Sequence, residues 1–94
     1  MISDVVIIGQ LDKKINKLFR YIKAYSNDTL HNDEKCSYIP LMYWTRTTNN
    51  LLMNKPDGLT VAIRGRIECD EEIGLYILVE SINNFGDPAQ CHTI

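Results

Sequence analysis

The sequence predicts an all-β domain in which five strands close into a Greek-key barrel, with a short helix between the third and fourth strands. Short runs rich in β-branched and aromatic residues recur along the chain, each bounded by polar or Gly/Pro/Asp-rich segments. Only residues 45–55 combine capping residues with apolar spacing suited to a helix, and they fall after the third run. The chain has 94 residues, 45% hydrophobic and 23% charged. That is enough for one small domain with a modest core, and too apolar for a disordered segment.

Val5-Val6-Ile7-Ile8-Gly9 is a β-branched run closed by glycine, the first strand. DKKINK reads as a short connection. Leu18 to Ser26 alternates as the second strand, with Leu18, Ile22 and Ala24 on one face and Phe19, Tyr21, Lys23 and Tyr25 on the other. Arg20 is the discordant member of the first set. The polar segment 27–35 reads as a loop, and residues 37–44 as the third strand. Here Tyr38, Pro40, Met42 and Trp44 share one face and Ile39, Leu41 and Tyr43 the other. Both faces are apolar, so alternation alone does not choose the inside.

Thr45, Thr47 or Thr48 caps the expected helix, Leu51, Leu52 and Met53 form its buried stripe, and Pro56-Asp57-Gly58 stops it. Leu59 to Cys69 alternates strictly: Val61, Ile63, Gly65, Ile67 and Cys69 against Thr60, Ala62, Arg64, Arg66 and Glu68. A tight acidic hairpin, DEEIG, leads into Leu75 to Ile82, the fifth strand. The barrel domain is expected over residues 1–86, with 87–94 as a short tail. Gly9 and Gly65 suit bent strands where a side chain would clash. This order of elements is that of the oligonucleotide/oligosaccharide-binding (OB) fold, although an SH3-like or α+β domain also fits it.

No apolar run approaches membrane-spanning length, and VVIIG lacks the basic leader of a signal peptide, so a cytoplasmic protein is expected. Cys36, Cys69 and Cys91 are odd in number and lack CxxC spacing, which argues against a disulfide framework and a paired zinc site. His31 and His92 sit in polar segments, and no nucleophile–histidine–acid set, phosphate-cradling loop or carboxylate pair stands out. A non-enzymatic protein without cofactor or metal is expected. The net charge of −2 gives no global polyanion signature. Lys13, Lys14, Lys17, Arg20 and Lys23 nevertheless crowd one quarter of the chain, and read either as a solvated surface or as a track for a phosphate backbone.

Residues 37–67 bring these strands into a more specific pattern. YIPLMYW, TRTTNNLLMNK, PDG and LTVAIRGRI follow one another without insertion or deletion as in the bacterial single-stranded DNA-binding protein family, which they closely resemble. DVVIIGQL resembles the family's first strand and VESINNF its last, so the likeness covers roughly residues 2–85. The resemblance implies an OB-fold that binds single-stranded DNA, in replication, recombination or repair, by base stacking and phosphate contacts without strong sequence preference. It implies that Tyr38 and Trp44 are the stacking aromatics, which turns Ile39, Leu41 and Tyr43 inward and leaves Pro40 and Met42 partly exposed. Tyr21, Lys23 and Tyr25 extend that face. Lys13, Lys14, Lys17, Arg46, Arg64 and Arg66 become phosphate contacts, with pairing of Arg66 to Glu68 or Glu80 as the competing reading. Family members also pair through the first strand, which implies a homodimer or homotetramer with Met1 to Ile8 at the interface.

Several features depart from the family. The connection after the first strand is shortened, the last hairpin is short and acidic, and FGDPAQCHTI does not resemble the acidic, phenylalanine-ended tail that recruits replication and repair proteins. A tail-less plasmid, phage or accessory member fits these losses. They also suit a second resemblance, to primosomal replication protein B, in which the barrel binds a replication or recombination protein and only weakly binds nucleic acid. RNA stays open as well, because a stacking face does not exclude ribose.

Overall fold

The computed structural model describes residues 4–28 and 33–84. Five strands, β1 (Val5–Lys14), β2 (Phe19–Asp28), β3 (Asp33–Tyr43), β4 (Thr60–Asp70) and β5 (Gly74–Asn84), form a closed barrel in the order β1-β2-β3-β5-β4. All pairings are antiparallel except the short parallel contact of β3 with β5. This is the OB-fold. His31, Cys91, His92, residues 1–3 and the expected tail lie outside the described residues, as does the side chain of Tyr25.

β1 runs five residues beyond Gly9, taking in residues expected to be a connection. Its register with β2 shifts between Leu11 and Lys14, and this irregularity breaks the alternation that would have revealed a strand. The remaining turn is held by Asn16, whose Oδ1 accepts from the backbone N–H groups of Leu18 and Phe19, both at 2.9 Å. The two ends of the expected loop belong to strands, since Asn27 and Asp28 pair with Glu34 and Asp33. A β-ladder is made by backbone groups, so a polar composition does not forbid it.

The helix expected over 45–55 is absent; the segment is a series of turns. Its polar side chains bond locally instead of leaving the backbone to itself. Asn50 Nδ2 donates to the Thr47 carbonyl at 2.6 Å, and Asn50 Oδ1 accepts from Met53 N–H at 2.8 Å. Arg46, at φ 56°, already departs from a right-handed helical path. Leu52 and Met53 still enter the core, whereas Leu51 faces solvent.

Arg20 fastens this irregular segment to the barrel. Its fully buried side chain donates to the carbonyls of Asp12 (3.1 Å), Leu52 (3.0 Å) and Lys55 (2.7 Å), and to Asp57 Oδ1 at 2.6 Å. It is therefore a clamp for the chain between β3 and β4, and not part of a surface phosphate track. Burial pushes its pKa down and Asp57 pulls it back up, but a guanidinium stays ionised throughout the accessible range.

The interior holds Leu11, Ile22, Leu41, Tyr43, Leu52, Met53, Val61, Ile63, Ile77 and Val79, with Ile39 packed against them. Gly9 and Gly65 occupy the close approaches between strands. A Cβ on Gly9 would lie 2.5 Å from the Lys23 carbonyl oxygen, and one on Gly65 would collide with the Leu78 carbonyl.

Candidate nucleic-acid interface

β3 carries both faces of the argument. Leu41 and Tyr43 are buried, Tyr38 and Trp44 are 52% and 53% exposed, and the two exposed rings stand at opposite ends of the outer face. Strand alternation sets that division, and closure of the barrel fixes which side is inside. Trp44 N–H donates to the Val79 carbonyl at 2.9 Å, so the backbone just past β3 remains tied to β5. The indole leans against the buried Tyr43 ring at a centroid distance of 6.0 Å.

The middle of the outer face is not open. Met42, expected to be partly exposed, is 6% exposed and packs with Phe19, Tyr76 and Leu78 in a second apolar cluster. Ile15 and Leu18 from the β1–β2 turn and Ile73 from the β4–β5 turn pack against it. Phe19 and Tyr76 meet edge to face at 5.0 Å. The acidic hairpin has a part in this, because Asp70 Oδ2 accepts from the N–H groups of Glu72 and Ile73, each at 3.0 Å, and so shapes the turn that carries Ile73. The signal for this cluster was available in the apolar parity of Phe19, Met42, Tyr76 and Leu78, but nothing in it says that two hairpins cover them.

Two separate platforms result. At one end Tyr21 and Tyr38 stand edge to face at 6.2 Å and, with Asp12 and Lys13, line a cleft of about 360 Å³. Lys23 is the register partner of Tyr38 and Tyr21 that of Pro40, so both belong to this end. At the other end Trp44, Arg46, Arg66, Leu78 and Glu80 line a cleft of about 330 Å³. Lys14 and Lys17 lie elsewhere, beside Asn16, Thr48 and Met53 in a third shallow depression.

The arginines Arg46, Arg64 and Arg66 differ in their availability. Arg64 makes a bidentate pair with Asp4, at 3.0 and 2.9 Å, and this hydrogen-bonded partner holds the Asp4 carboxyl below its ordinary pKa. Arg66 Nε lies 3.5 Å from Glu68, in agreement with the structural pairing considered for it. The Arg46 guanidinium makes no hydrogen bond or ion pair among the described residues. Asp12, Asn16 and Leu78 also join the clefts without any signal in the sequence, and Glu80, expected only as a pairing partner of Arg66, joins them.

A closed OB barrel with exposed aromatic rings and cationic side chains at two ends of one face defines the class to which this architecture belongs. Within it, the chain is similar in structure to a small single-stranded DNA-binding protein from Streptomyces coelicolor, with a TM-score of 0.63, 10% identity, and coverage of 88% of this chain and 92% of that one. It is also similar to the second single-stranded DNA-binding protein of Mycobacterium smegmatis, with a TM-score of 0.62, 12% identity, and coverage of 97% and 94% respectively. At these identities the likeness establishes the shared fold. No protein-family profile and no curated protein sequence matches the chain. Among the described residues, no helix is long and apolar enough to cross a membrane.

Proposed function

We propose that the chain binds single-stranded DNA, without strong sequence preference along most of the strand and without catalysing a reaction on it. The observation that carries this reading is the pair of half-exposed rings, Tyr38 and Trp44, at the two ends of one barrel face. Bases stack on them, while Tyr21, Lys13 and Lys23 at one end and Arg46 and Arg66 at the other meet neighbouring bases and phosphates. Stacking contributes about 1–3 kcal/mol per base and tolerates any base. Lys14, Lys17, Tyr25 and Arg64 are outlying contributors, with Arg64 drawn from its pair with Asp4. The similar folds support this reading, since both proteins named above are single-stranded DNA-binding proteins. The chain acts in the cytoplasm, in DNA replication, recombination or repair.

Val6 and Ile8 project 67% and 50% exposed from β1, which supports pairing of two copies through that strand into a homodimer or homotetramer. The test of function is a salt titration of binding to single-stranded and duplex DNA. The reading expects preference for the single strand and a linear loss of log affinity with log salt. Equal weak binding to both would contradict it.

A second reading is favoured by a different observation. Val5, Ile7, Ile39, Ile67, Leu75, Tyr76 and Ile77 line an almost wholly apolar cleft of about 240 Å³, with Leu75 67% exposed. On this reading the barrel is a docking module for a replication or recombination protein. Recovery of a helicase or polymerase with the chain, together with no single-strand binding, would decide for it.

A further inference from the structure

We infer that the cleft beside Trp44 is a single-base subsite that prefers guanine. This rests on the single-strand reading above and refines it at one nucleotide. The cleft, at about 330 Å³, is lined by the half-exposed Trp44 and also takes in the buried Leu78. Its size falls at the lower end of small-ligand sites, which run from roughly 300 to 1,000 Å³. Aromatic and apolar walls suit any base; the charged groups do not.

A phosphate track would have no use for a carboxylate, yet Glu80 lines this cleft together with Arg46 and Arg66. Glu80 makes no hydrogen bond or ion pair among the described residues, and its charge is felt only at longer range by Arg64. It is the unpaired residue of a β-bulge: Arg64 pairs with Ser81 and Gly65 with Val79, so Glu80 has no opposite number on β4. Bulges re-aim side chains and occur preferentially beside functional sites. Arg46 adds an independent sign, since its φ of 56° is unfavourable for any residue with a Cβ. Such conformations concentrate at ligand sites.

An ionised carboxylate only accepts hydrogen bonds, and a guanidinium only donates them. Guanine is the base whose edge meets both. Its N1–H and N2 amino group are adjacent donors that fit the two carboxylate oxygens, and O6 and N7 accept from an arginine. Adenine and cytosine each set an acceptor ring nitrogen beside their amino group, which would face the second carboxylate oxygen. Thymine offers one N–H between two carbonyls. Glu80 therefore repels three bases more than it repels guanine, and Arg46 or Arg66 completes the guanine edge.

The experiment is a competition binding assay with the full chain at fixed salt, using oligo-dT, the same strand with one central dG, and the same strand with inosine at that position. The dG strand is expected to bind about tenfold more tightly than oligo-dT, and inosine, which lacks the N2 amino group, in between. In Glu80→Gln the preference falls below about twofold while oligo-dT binds more tightly, because a like charge has left the path of the strand. Tight oligo-dT binding with no guanine preference overturns the subsite and leaves the single-strand reading intact. A preference that persists undiminished in Glu80→Gln also overturns it. Absence of binding to every strand overturns the single-strand reading and the subsite with it.

Discussion

The middle and the ends of the outer face of β3 are built from one strand with one parity, yet they end in opposite environments. Met42 is sealed beneath Ile15, Leu18 and Ile73, and behaves as core. Tyr38 and Trp44, four residues to one side and two to the other, keep half their surface in solvent. The difference does not lie in hydrophobicity, since all three side chains are apolar or aromatic. It lies in where two short hairpins fold back. A face read as a continuous platform is thus two platforms joined by a structural bridge.

This contrast predicts that substitutions under the hairpins cost stability, whereas those at the ends cost binding. The largest effect is expected just behind the bridge. Arg20→Ala removes the clamp and strands the buried Leu52 carbonyl, and should lower unfolding free energy by about 3 kcal/mol in chemical denaturation. Met42→Ala should lose about 2–3 kcal/mol by cavity formation, so a negligible loss would mean the bridge is open. Trp44→Ala should leave stability nearly unchanged and weaken single-strand binding by about 2 kcal/mol; Tyr38→Ala should cost nearer 1 kcal/mol at its end of the face.

The smallest effect concerns Arg64. Asp4→Asn frees its guanidinium and should steepen the salt dependence of single-strand affinity by about 0.7 in the log–log slope. Acidification should act in the same direction. Arg64 depresses the Asp4 pKa, so the pair persists as pH falls through the ordinary aspartate range and is lost only below it. Both groups are exposed, so the accompanying change in stability is small.

How much of this was legible in the chain depended on whether the signal was local. Strict alternation made β4 readable almost to the residue, and the inward set of β3 followed from it by resemblance. The segment 45–55 misled because threonine caps and paired leucines resemble a helix start, while the same Thr and Asn side chains compete for the backbone bonds a helix requires. Arg20 was visible as a discordant residue on an apolar face. Its partners lie 8, 32, 35 and 37 residues away, a separation that no local pattern encodes. Glu80 was hidden for a similar reason, because a bulge is a property of two strands together and strand alternation gives no account of it.

Trp44 is the single tryptophan of the chain and lies on the proposed platform, so its fluorescence reports directly on the central claim. Titration with oligo-dT at low salt should quench the emission saturably, and the quenching should be reversed by added salt, while duplex DNA of equal length has little effect. Emission that stays unchanged through the low-salt titration with oligo-dT, with no change in affinity on Trp44→Ala, would contradict the account.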